Sequence, residues 1–189
     1  MRLLIATILI SIISAMVSPN QSKNSNGWAT FSPKMGDFSI QLPGVPEETQ
    51  DHFVLSSTKV DMYGFTFRKD GVGFFILRIG DIPAALIEKG YLDSLFENAY
   101  KILLEYKTKD GQTHILETSQ KKIQLGNYLG YEYNSGCGPY KKDIEPCKTI
   151  LRVYKVERRI YLVGLSGPDT KLPKADIDKF FSSFSVVKQ

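Results

Sequence analysis

The chain has 189 residues, with 24 basic and 20 acidic side chains and a formal net charge of +4. That length suits one globular domain with a sizeable core. The mild charge lacks the basic stripe that nucleic-acid binding demands, so no nucleic acid is expected as a partner.

Met1 and Arg2 form a short positive region ahead of the uncharged apolar run of residues 3–17, LLIATILISIISAMV, which gives way at once to the polar stretch SPNQSKNSN. This is the three-part build of a secretory signal. The run is shorter than the roughly 20 residues a helix needs to cross a bilayer. A cleaved signal peptide is therefore expected over residues 1–18, a disordered tether over 19–27 and a single domain over 28–189. No stable transmembrane anchor remains after cleavage. The expected location is extracytoplasmic, either periplasmic or secreted.

Residues 28–31 offer a short strand, and FSIQL at 38–42 alternates cleanly with Phe38, Ile40 and Leu42 on one face. Pro43-Gly44-Val45-Pro46 stops it. Residues 47–55 are polar but β-compatible, and VDMYGFTFR at 60–68 alternates aromatics at Tyr63, Phe65 and Phe67. Lys69-Asp70-Gly71 supplies a hairpin turn in which Gly71 takes the positive φ such loops need. GFFILRIG at 73–80 is apolar on both sides, which places it centrally in a sheet.

A helical turn near Pro83 leads into residues 91–106, YLDSLFENAYKILLEY, where Leu92, Leu95, Phe96, Ala99, Ile102, Leu103 and Tyr106 recur at helical spacing. The spacing predicts one helix ending near KTKDG, with cations at its C-terminal end and a glycine beyond. Strands are then expected over 114–125 and 129–133, turning at Gly126-Asn127. The loop GCGPYKKDIEPC follows at 136–147, then strands over 148–156 and 160–165. The last helix is expected over 175–186, where Ile177, Phe180, Phe181 and Phe184 share a face and Asp176 and Asp178 sit in the first turn. Hairpin-length links force antiparallel pairing. The expected fold class is α+β: an antiparallel sheet of about six to eight strands covered by two main helices, an α/β/α sandwich.

The opening WATFSPKMGDFSIQLPG resembles the G-x-F-S-I-x-x-P motif of the PsbP-like fold, a group that includes exported bacterial proteins. The closing RIYLVGLSGP and IDKFFSSFSV are similar to that group's final strand and its terminal helix with an F-x-x-S-F ending. The resemblance spans roughly Trp28 to Val187 in element order. Members closest to PsbP carry a Trp soon after the proline of the first motif. Here Pro43-Gly44-Val45-Pro46 stands instead, which is more similar to the exported bacterial group. The resemblance implies an extracytoplasmic domain without established chemistry.

Catalytic equipment is sparse. A zinc site wants three or four His, Cys or carboxylate ligands, and the only histidines are His52 and His114. Gly164-Leu165-Ser166-Gly167-Pro168 breaks the G-x-S-x-G pattern of a nucleophile elbow, and no histidine follows it. Gly71-Val72-Gly73 lacks a third glycine and leads into a strand, which fails the context of a phosphate loop. The pairs Glu47-Glu48 and Asp176/Asp178 read as strand starts and helix caps. No cofactor, no metal and no enzymatic activity are expected.

Cys137 and Cys147 lie close together, and in an exported chain such a pair reads as a disulfide, worth about 2.5–3 kcal/mol for so short a loop. It would hold Pro139, Tyr140, Lys141, Lys142, Asp143 and Ile144 on a constrained scaffold, a candidate contact for an envelope protein partner. The aromatic series Tyr63, Phe65, Phe67, Tyr131, Tyr133 and Tyr154 reads as core packing, with a cleft for a small apolar ligand between sheet and helix as the alternative.

Overall fold

The computed structural model describes residues 27–107, 113–116, 118–136 and 146–187. The expected signal and nearly all of the tether lie outside the described residues, as do Cys137 and the contact loop from Pro139 to Ile144.

Seven strands form one antiparallel sheet. These are β3 (Glu47–Leu55), β4 (Thr58–Lys69), β5 (Val72–Gly80), β8 (Thr118–Leu125), β9 (Tyr128–Gly136), β10 (Cys147–Val156) and β11 (Arg159–Pro168), in the spatial order β3-β4-β5-β11-β10-β9-β8. Consecutive strands within the groups β3-β4-β5 and β8 to β11 pair as neighbours. The β3–β4 turn is made by Ser56 and Ser57, both at positive φ. The β4–β5 turn uses Asp70 at φ 51° and Gly71 at φ 85°, as its residues foretold. The two groups join at the β5–β11 pair, where Ile79 faces Ile160 and Leu77 faces Leu162 in register. β5 is central, as its two-sided apolar run requires.

Both faces of the sheet are covered. Alternate side chains of each strand point to opposite faces, and the two sets build two separate cores. One packs Met62, Leu77, Ile79, Val153 and Leu162 beneath three short helices, α1 (Ala84–Ile87), α2 (Tyr91–Asn98) and α3 (Lys101–Leu104). The other packs Phe65, Phe74, Ile76, Tyr161 and Val163 beneath α4 (Lys174–Ser182) and a small sheet. In that small sheet β2 (Phe38–Leu42) lies between β1 (Ala29–Phe31) and β12 (Ser185–Val186). Phe38, Ile40 and Leu42 are fully buried, as their alternation foretold.

The main helix differs from expectation. Leu92, Leu95, Phe96 and Ala99 are buried as the spacing demands, but the helix is jointed at Ala99-Tyr100. Around that joint the amides of Ala99, Ile102 and Leu103 bond three residues back rather than four, the tighter 3₁₀ pattern. Helix then ends at Leu104, because Glu105 turns to extended backbone at φ −87°, ψ 133°. Glu105–Lys107 forms strand β6, paired with β7 (Thr113–Ile115), so Lys107, expected near a helix end, belongs to a strand. Residues 114–125 accordingly divide into β7 and β8, which lie in different sheets.

The last helix is also shorter than its apolar spacing suggests. It stops at Ser182, and β12 pairs Val186 with Phe38 across the small sheet. Ser183 ends the helix by donating to the Phe180 carbonyl and accepting from the Gln41 amide. Phe184 is thereby buried from a turn rather than from a helix face.

Candidate functional site

A charged residue inside an apolar strand needs partners, since an unpaired buried charge is very unfavourable. Arg78 is that residue. It belongs to β5 between Leu77 and Ile79, and only 4% of it is exposed. Its register neighbours are Tyr63 on β4 and Tyr161 on β11. The guanidinium lies over the Tyr63 ring, 5.5 Å from its centroid.

The partners come from loops distant in sequence. Asp37, just ahead of β2 and 1% exposed, accepts from Arg78 Nε at 2.5 Å and from the Tyr161 hydroxyl at 3.1 Å through the same Oδ2. Its other oxygen, Oδ1, is buried without a hydrogen-bond partner among the described residues. Asp81, just past the end of β5, accepts from Arg78 Nη2 at 2.8 Å through Oδ2 and from Arg159 Nε at 2.8 Å through Oδ1. Asp81 holds a left-handed backbone at φ 44°, a conformation that short polar side chains tolerate better than most. The corner is fixed from outside as well: the Ile82 amide donates to the Arg158 carbonyl, and Arg158 Nε donates back to the Ile82 carbonyl.

The electrostatics follow from this geometry. Burial works against the Arg78 charge, but hydrogen bonds to Asp81 and Asp37 outweigh it and hold its pKa above the ordinary arginine range. Burial likewise opposes ionised Asp81, yet Arg78 and Arg159 hold its carboxyl below the usual value. Tyr161 is pushed up to about 12 by burial and by the charge of Asp37. Arg78 and Arg159 are therefore held in their charged forms and Asp81 in its ionised form, while Tyr161 keeps its proton.

Beside it lies a cavity of about 210 Å³. It is lined by Lys59, Asp61 and Tyr63 of β4, by Arg78 and Gly80 of β5, and by Asp81 and Met35. A Cβ on Gly80 would lie 2.4 Å from Arg78 Nη1, so the guanidinium occupies the space a side chain would take.

The residues singled out in the sequence are dispersed. Tyr63, Phe65, Phe67 and Tyr154 serve one core, whereas Tyr131 and Tyr133 lie on the opposite face with Phe96 and Tyr100. Strand alternation thus divides the aromatic series, and it does not line one cleft. His52 is exposed on β3 opposite Asp61, with its Nδ1 3.9 Å from Asp51. Among the described residues no three His, Cys, Asp or Glu side chains converge as metal ligands do. Ser166 sits within β11, its hydroxyl 2.9 Å from that of Thr149, so no elbow is formed. Asp178 is paired with Lys174 one helical turn away. Cys147 begins β10, opposite Pro168.

The Arg78 network escaped the sequence reading. Its signal was present: one cation within GFFILRIG, a strand that otherwise calls for burial on both faces, cannot stay unpaired. The sequence offered no means of choosing Asp37 and Asp81 among 20 acidic residues.

No family model matches the chain, and no curated protein matches it. Among solved structures, the fold is similar to that of the Ran-binding protein Mog1p of Saccharomyces cerevisiae. The match has 9% identity and a TM-score of 0.40, covering 87% of this chain and 97% of that one. A likeness so slight carries no functional argument. No helix among the described residues is long and apolar enough to cross a membrane.

Proposed function

We propose that the chain is an exported accessory domain of the cell envelope, of PsbP-like fold, that binds a protein partner and catalyses no reaction. The observation that supports this reading is the open edge at β3. No described strand pairs with its outer side, and residues 47–50 project from the core with exposed side chains. Two large apolar residues stand exposed on or beside this edge, Val45 at 74% and Val54 at 67%. An edge of this kind accepts an extended peptide by β-augmentation, in which main-chain bonds give affinity and side chains give selectivity. Glu47, Glu48 and Asp51 favour a partner segment carrying lysine or arginine. The cysteine-bounded segment, with Pro139 to Ile144, is the second contact in this proposal.

Site-specific photo-crosslinking from Val54, from Tyr140 and from the exposed Lys174 tests the reading in the native host. A discrete adduct from Val54 or Tyr140, with none from Lys174, is the expected result. Adducts of equal yield from all three sites, or from none, would overturn it.

The cavity beside Arg78 favours a second reading, carriage of a small ligand. Its lining of charged groups suits a polar ligand rather than an apolar one.

A further inference from the structure

Independently of the partner reading, we propose that the cavity bounded by Lys59, Asp61, Tyr63, Arg78 and Gly80 binds a small zwitterion of the free α-amino-acid class. Two of the lining charges are already committed to partners. Arg78 and Asp81 are bound to each other and to Asp37 and Arg159. They form a rigid wall with little left to offer a ligand beyond Arg78 Nη1, which lies against Gly80.

Lys59 and Asp61 differ. Both line the cavity, and neither has an ion-pair or side-chain hydrogen-bond partner among the described residues. Two positions apart on β4, they point to the same face, and their Cα atoms are roughly 6.7 Å apart along the strand. They form no ion pair with each other, and both can be reached by one small molecule carrying an anionic and a cationic group on the same carbon.

The formal charge of the lining sums to zero over Lys59, Arg78, Asp61 and Asp81, which selects against a plain anion or a plain cation. A cavity of about 210 Å³ falls below the roughly 300–1,000 Å³ of sites for drug-sized ligands. It suits a molecule the size of a free amino acid. The ligand carboxylate would face Lys59 and Arg78 Nη1, its ammonium Asp61, and its side chain Tyr63 and Met35. The wall is preorganised, because the Arg78 guanidinium is fixed by two carboxylates before any ligand arrives.

The test is a titration of the ¹⁵N-labelled domain with each free L-amino acid, with acetate and methylammonium as single-charge arms at matched ionic strength. Saturating shifts at the amides of Asp61, Gly80 and Asp81 are expected with one or more amino acids and with neither single-charge arm. Lys59→Ala and Asp61→Ala should each weaken binding about tenfold or more, the loss of one charge-assisted contact, with the rest of the spectrum unchanged. Saturation by acetate or methylammonium alone, absence of saturating shifts with every amino acid, or undiminished binding by both variants would overturn the proposal. Because β3 is not altered, failure here leaves the crosslinking result of the partner reading intact.

Discussion

Arg78 shows how one buried side chain organises residues far from it. Its partner Asp37 lies 41 positions away, and the Tyr161 hydroxyl that shares the same carboxylate oxygen lies 124 positions from Asp37. Removing Arg78 leaves Asp37 buried with one hydrogen-bond donor, so Arg78→Met is expected to lose about 3–5 kcal/mol in urea unfolding. The double variant Arg78→Met with Asp37→Asn no longer buries an unpaired charge and should be less unstable than the two single losses sum to, with a coupling of about 2 kcal/mol. Strict additivity would show that the pair is not coupled.

Tyr161 gives the same network a signature in alkali. Its folded pKa is about 12, raised by burial and then by Asp37, against about 10 for an unfolded tyrosine. A raised pKa means the contribution is fully present below pH 10 and is lost as pH rises through 12, because the unfolded chain releases its proton first. That loss is about 2–3 kcal/mol. Tyr161→Phe should therefore show a shallower fall in unfolding free energy between pH 10 and 12, at the expense of about 1–3 kcal/mol at neutral pH for the lost hydrogen bond to Asp37. Tyr133, also pushed up to about 12 by burial, keeps its own share of the fall in both proteins. Identical pH slopes would reject the assignment.

Among the elements, the C-terminal segment does the most with the fewest residues. Phe184 is 3% exposed and stacks on Tyr154 with ring centroids 5.7 Å apart, while also meeting Phe38 and Tyr161 at 5.9 and 5.8 Å. It anchors the turn from which β12 joins the small sheet, and the Val187 amide then donates to the Asp37 carbonyl at 2.9 Å. Phe184→Ala should cost about 3–5 kcal/mol. It should also raise hydrogen exchange at the Val187 amide more than at Phe74, which lies across the same core. A uniform rise would mean that β12 is held by the global fold alone. The jointed main helix makes a related point: its buried stripe is read correctly from spacing, yet its end is fixed where β6 finds β7, by a pairing rather than by a cap.

For the whole molecule, the sequence by itself determined the α+β class, the antiparallel hairpins and most of the strand positions. These rest on local physics: a period of two or of 3.6 in apolar residues, and turn residues such as Asp70 and Gly71. FSIQL announces β2 because its alternation is complete within five residues. Tertiary structure alone decided that Tyr131 and Tyr133 serve a different core from Tyr63 and Phe65. It also decided that residues 105–107 and 185–186 leave their helices for strands, and that Asp37 and Asp81 converge on Arg78. Each of those outcomes depends on which segment lies across the sheet or layer. A buried charge in the sequence states that a partner must exist, and only the register and stacking of distant strands select which carboxylate it is.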